Sequence, residues 1–170
     1  MKKIIAVVSV ALFALLACDI ADAQSKIGYI NFDQLVQQMP EVKTIKKQID
    51  DYSNQFIDQL TAMNNELQSK SKDYEKDRAA MTDAARTAKE GELTDLQKRI
   101  QSFENEAQQK VTAKTNELSK PLLDKVRTAV AQVAKEKGYA YVFNSSQTDL
   151  IVSPPGDDLM NEVKAKLGLK

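Results

Sequence analysis

The chain has 170 residues, with 24 lysines and arginines against 24 aspartates and glutamates, no histidine, one cysteine and no tryptophan. Zero formal charge removes the overall field that would draw in nucleic acid or an anionic membrane. The lack of histidine and the single cysteine exclude Ser-His-Asp and Cys-His catalysis and most zinc sites, and an aromatic content of 6% argues against a large compact core.

The first 23 residues read as a secretory signal peptide. Lys2 and Lys3 form its positive end, Ile4 to Ala17 an apolar run too short to span a membrane, and Ala21-Asp22-Ala23 a small-residue cleavage site before Gln24. A rival reading takes Leu15-Leu16-Ala17-Cys18 as a lipobox, with Cys18 the lipidated first residue. Removal after Ala23 fits better because both small positions are filled, and it leaves no thiol. No later stretch is apolar for 18 residues, so no stable membrane span is expected.

Lys26 to Phe32 predicts a strand, and Asp33 is placed to cap a short helix carrying Leu35, Val36 and Met39. Pro40 and Glu41 suit the first positions of the next helix. Apolar residues then recur as Val42, Ile45, Ile49, Tyr52, Phe56, Leu60, Met63 and Leu67, in steps of 3, 4, 3, 4, 4, 3, 4. That is a coiled-coil seam with one stutter.

The same steps return in Leu93, Leu96, Ile100, Phe103, Ala107, Val111 and Leu118, with Lys114 in the vacant place. The two series mirror each other, Leu60 with Phe103, Met63 with Ile100, Leu67 with Leu96, Phe56 with Ala107, Tyr52 with Val111 and Ile45 with Leu118. This is the register of an antiparallel hairpin turning at Met81 and Thr82, each arm roughly 60 Å long at 1.5 Å per residue. Lys70 opposite Leu93 and Ile49 opposite Lys114 should be weaker layers, with lysine stems along the seam. Pro121, opposite Val42, is expected to kink the second helix where limb meets body.

Beyond it, Leu122, Leu123, Val126, Ala129, Val130 and Val133 make a broader apolar face, ending at Gly138. Tyr139, Tyr141 and Phe143 then alternate with Ala140, Val142 and Asn144, Asn144 to Thr148 makes a turn, and Leu150 to Val152 reads as a return strand. Asp157 or Asp158 caps a last helix with Leu159, Met160, Val163 and Leu167 on one face, closed by Gly168. A lone hairpin is marginal in water, so Lys26 to Phe32 is its expected third strand.

The fold class is therefore mainly α with a small β body: a long antiparallel coiled-coil hairpin on a three-stranded sheet. Exposed sheet edges are relieved most simply by identical subunits, so the sheet should oligomerise. The domains are 24–41 with 121–170 as the oligomerisation body and 42–120 as the arm, its tip near 79–85. The body contacts would come from Ile27, Tyr29, Ile30, Tyr141, Phe143, Leu150 and Val152.

Little here suggests chemistry. No two glycines form GxGxxG or GxxxxGK, and Asp50-Asp51, Asp73 with Asp77, and Asp157-Asp158 sit at exposed or capping positions. The reading is no enzyme, no catalytic, cofactor-binding or metal site, and no nucleic acid partner. Asn144-Ser145-Ser146 matches a glycosylation sequon but is better explained as a polar turn. Ala79, Ala80, Met81, Ala84 and Ala85 read first as a compact helix-to-helix turn. Read functionally, an exposed methionine among small residues could contact apolar clients. Gly91 marks local flexibility near the tip.

"KIGYINFDQLVQQMPEVK" and "KPLLDKVRTAVAQVAKEKGYAYVFNSSQTDLIVSPPGDDLMNEVKAKL", flanking a long helical hairpin, resemble the two ends of the Skp/OmpH family of periplasmic chaperones. The resemblance covers essentially the whole chain after the leader. It implies a homotrimer with a shared β-barrel body and three tentacle arms around a cavity. The cavity would hold unfolded outer-membrane proteins in the periplasm and prevent their aggregation without ATP. Members of the family are often strongly basic, a charge linked to lipopolysaccharide; this chain is neutral, and no such site is carried over. The alternative is a coiled-coil scaffold or spacer of the cell envelope, lipid-anchored at Cys18.

Overall fold

The structure, a computed structural model, describes residues 25–169; the expected signal peptide and Cys18 lie outside the described residues. In chain order the elements are β1 (Ile27–Ile30), α1 (Phe32–Gln37), α2 (Glu41–Asp77), a 3-10 turn (Arg78–Ala80), α3 (Asp83–Lys137), β2 (Tyr141–Asn144), a second 3-10 turn (Pro155–Asp157) and α4 (Met160–Leu167).

Two long helices dominate. α2 has 37 residues and none is fully buried, whereas α3 has 55 and buries Leu96, Ile100 and Ala107 along the arm and Leu122, Val126, Ala129 and Val133 in the body. At 1.5 Å per residue α2 reaches about 55 Å. Thr82 caps α3, its hydroxyl accepting a hydrogen bond from the Ala85 amide. Gly138 closes α3 at φ 74°, a left-handed conformation that side chains with a Cβ rarely adopt. α3 continues through Pro121 as one helix; the proline is exposed, and its missing N–H leaves the ladder one bond short.

The core gathers Ile30, Leu35, Met39, Leu122, Val126, Ala129, Val133, Tyr139, Leu159 and Val163 around the lower half of α3. The 4-3-4 spacing from Leu122 to Val133 puts one apolar stripe on α3, and β1, α1 and α4 each supply one or two side chains to cover it. Val42 and Ile45 pack against the same cluster, so the root of the arm is continuous with the body.

The sheet departs from expectation. Among the described residues it has two strands, not three, and they run parallel, with Ile27 beside Tyr141 and Ile30 beside Asn144. α3 carries the chain past the arm root, and after the reversal at Gly138 β2 starts beside the beginning of β1; the Ala140 amide donates to the Lys26 carbonyl at 2.8 Å. The expected hairpin return strand, Leu150 to Val152, forms none. Along the other edge of β1, Asp158 bridges Tyr29, and the Leu159 amide donates to the Tyr29 carbonyl at 3.0 Å. β1 is thus flanked on both edges, while the outer edge of β2 carries no strand.

Two local details also differ. Asn31, not Asp33, caps α1, its side-chain oxygen accepting from the Gln34 amide, and the helix begins at Phe32. Tyr139 leaves the expected strand alternation: it precedes β2, turns inward and is buried, while Tyr141 and Phe143 face out.

Candidate functional site: a helical arm and an exposed sheet face

The arm is built on its seam. Ile45, Tyr52, Phe56, Leu60, Met63 and Leu67 on α2, and Leu93, Phe103, Val111 and Leu118 on α3, are half-buried, and Leu96 and Ile100 are buried. Partial burial is what a two-helix arm allows, because each stripe has one partner and an open flank. Phe56 meets Phe103 with ring centroids 6.1 Å apart, one turn from its expected neighbour Ala107, and Tyr52 stands edge-on to Phe56 at 5.1 Å. Lys114 lies half-buried with its ammonium 2.8 Å from Glu117. Lys70 is exposed, and Ser71 takes the half-buried position beside it. The seam therefore steps 4 residues from Leu67 to Ser71 and 3 to Tyr74, a residue that continuing the heptad past Leu67 would have found.

At the tip, Ala79, Ala80, Ala84 and Ala85 are exposed, but Met81 is half-buried, contrary to its reading as an exposed methionine. Tyr74 on α2 donates a hydrogen bond to the Glu90 carboxylate on α3. That bond, first, and the loss of solvent around the ring raise the tyrosine's pKa above its ordinary value.

At the root, Lys125 bonds Glu41 at 2.6 Å and lowers the pKa of that carboxyl. Lys137 does the same to Glu162 at 3.0 Å, tying α4 to the end of α3.

The sheet has two unlike faces. Ile30 and Gly28 turn inward; Ile30 is only 2% exposed and belongs to the core of its own chain, so, contrary to its expected role as an oligomer contact, it offers no surface to a second copy. Ile27, Tyr141 and Phe143 turn outward, and in the loop after β2 Val152 and Ile151 are also exposed, Ile151 at 94%. Tyr29 and Leu150 are half-buried beside them. This clustering of large apolar side chains is more than the scattered exposure normal on a monomer. An open cavity of about 570 Å³ lies on that face, lined by Ile27, Phe143, Leu150 and Val152 among others. A second, about 740 Å³, lies between α3 and β2.

Among the described residues no group of three or more acidic, cysteine or histidine side chains could hold a metal, and no helix is long and apolar enough to cross a membrane.

Residues 26–167 match the family model described as Outer membrane protein (OmpH-like). The chain belongs to the OmpH-like family. Its similarity to family members is low in identity and nearly complete in length. It is 27% identical over 166 residues to a protein named Chaperone protein Skp from Yersinia enterocolitica, covering 96% of this chain and 97% of that one. It is 27% identical over 157 residues to a protein of the same name from Photorhabdus luminescens, covering 90% and 92%. A crystal structure of an OmpH-like protein from Caulobacter crescentus CB15 superposes with a TM-score of 0.66 over 85% of each chain, at 15% identity. That is a likeness of fold.

Proposed function

We propose that the protein is an ATP-independent holding chaperone of the periplasm, which encloses unfolded outer-membrane proteins between coiled-coil arms and keeps them from aggregating. The observation that carries this reading is the division of the chain into two parts. One is a projecting hairpin with a single narrow buried seam. The other is a small body with Tyr141, Phe143, Ile151 and Val152 left uncovered. An uncovered sheet face beside an open edge strand suits joining to further copies of itself, and a trimer would set three arms around a shared space. The relatives named Chaperone protein Skp support the same reading.

The mechanism would be enclosure with many weak contacts. Unfolded β-barrel proteins offer strand segments that aggregate through their edges. Arms that surround such a chain isolate it, and short-lived contacts leave it mobile until it folds elsewhere and stops binding. The tip residues Ala79, Ala80, Met81, Ala84 and Ala85 are proposed as contacts of this kind.

Native mass measurement with and without a urea-unfolded outer-membrane barrel protein tests the reading. The expected result is an oligomer that takes up one client and ignores the folded barrel. A monomer that forms no client complex, or an oligomer that binds a single folded partner instead, overturns it.

A further inference from the structure

We propose that Tyr74 and Glu90 form a clasp that holds the distal end of the hairpin shut and keeps Met81 and Leu93 covered. The Tyr74 hydroxyl reaches across from α2 to the Glu90 carboxylate on α3. The guanidinium of Arg78 lies 5.9 Å over the same ring. The neighbouring ion pairs do not bridge the helices: Lys70–Glu66, Arg86–Asp83 and Lys89–Glu92 each stay on one helix.

What surrounds the clasp makes it matter. Beyond Leu67 on α2 and before Leu93 on α3, Tyr74 is the one large apolar side chain on either helix. Lower down, the arm is held by the Phe56–Phe103 contact and by buried Leu96, Ile100 and Ala107. Gly91, next to Glu90, has no atom within 4 Å of where its Cβ would be and weakens α3 at that point. Local opening draws on whatever contacts the opened segment makes, and here those are few. Under the clasp is a cavity of about 210 Å³ lined by Tyr74, Met81 and Leu93 together with charged side chains. Closed, the arm end presents mixed charge; open, it presents a methionine, a leucine and an aromatic ring. The clasp goes beyond the chaperone reading and stands without it.

The test uses the whole chain with Tyr74→Phe, Glu90→Ala and Glu90→Gln, read by amide hydrogen exchange and by the rate of Met81 oxidation with dilute hydrogen peroxide. Losing one such bond should speed exchange over residues 70–93 and Met81 oxidation roughly five-fold in Tyr74→Phe and Glu90→Ala. The body amides and buried Met39 should stay at their original rates. Glu90→Gln, which keeps an acceptor, should fall between. Combining Tyr74→Phe with Glu90→Ala should add little to either alone. Unchanged exchange and oxidation at the tip overturn the clasp. So does an equal rise at Met39, which would mean general destabilisation, and so does a Glu90→Gln variant as open as Glu90→Ala.

Discussion

The ring of Tyr139 lies so close to Gly28 that a Cβ on the glycine would stand 3.1 Å from Cδ1 and 3.2 Å from Cε1, with the Asp157 carbonyl oxygen at 3.3 Å. The tyrosine is held there by its hydroxyl, which is 3.1 Å from the Gly156 carbonyl and 3.0 Å from the Asp157 carboxylate. Tyr139 thus links β1 to the turn before α4, and a side chain at position 28 would require the ring or the Asp157 backbone to give by a few tenths of an ångström.

Gly28→Val should destabilise the body by about 1–3 kcal/mol, the usual cost of overpacking, measured by urea denaturation. A variant as stable as the parent would show that the ring moves aside at no cost.

Phe56 and Phe103 should carry the middle of the arm. Because both are half-buried, Phe56→Ala should cost about 2 kcal/mol, roughly half the range for a fully buried phenylalanine. Adding Phe103→Ala should cost less than the sum of the single losses, since the pair loses its contact only once. Strict additivity in thermal melts would mean that the rings do not support each other.

Asn144 does more than turn the chain. Its side-chain oxygen accepts from the Phe32 amide at 3.1 Å and from both the amide and the hydroxyl of Ser146, at 3.1 and 2.7 Å. Asn144→Ala should cost about 1–2 kcal/mol by leaving the Phe32 amide without that partner, while Ser146→Ala should cost less. Equal losses in the two variants, compared by urea denaturation, would place the main effect in the turn instead.

Tyr141 and Phe143 are 62% and 45% exposed, so replacing both with serine should leave the protomer folded. On the proposed assembly through this face, the parent should run as an oligomer in analytical ultracentrifugation and the double variant as one chain, with circular dichroism unchanged. An undiminished oligomer would remove this face from the assembly.

The pairs Lys125–Glu41 and Lys137–Glu162 predict an acid response. Both glutamates have folded-state pKa values below the ordinary 4.5, so their contribution is present above that value and is lost as the pH falls through the lowered ones. Both carboxylate side chains are more than a third exposed, so solvent screens the effect and it should be small. Stability should stay level down to about pH 5 and decline below it. A Lys125→Met, Lys137→Met double variant should show a shallower decline, and an identical acid limb would mean that the pairs contribute nothing.

The heptads are legible in the sequence because a step of 3 or 4 residues admits one helix face, whereas the pairing across the arm is not fixed by them: Phe56 meets Phe103, one turn from Ala107. Position 70 departs from that pattern because either step is open after Leu67, and only packing chooses Ser71 and Tyr74. The Tyr74–Glu90 bond is not legible, since a polar contact across helices leaves no mark on apolar periodicity.

By itself, the sequence determined the long paired helices, their turn near Met81, the stripe from Leu122 to Val133 and the glycine stops at Gly138 and Gly168. These follow from local spacing and backbone preference, which neighbours along the chain impose. Only the tertiary structure decided that β1 and β2 run parallel, that Asp158 takes the edge of β1, that Tyr139 turns in and that Ile151 is left in solvent. Four-residue strands have the same two-residue period whichever way they pair, so their partners are chosen by what else must be buried on the same helix.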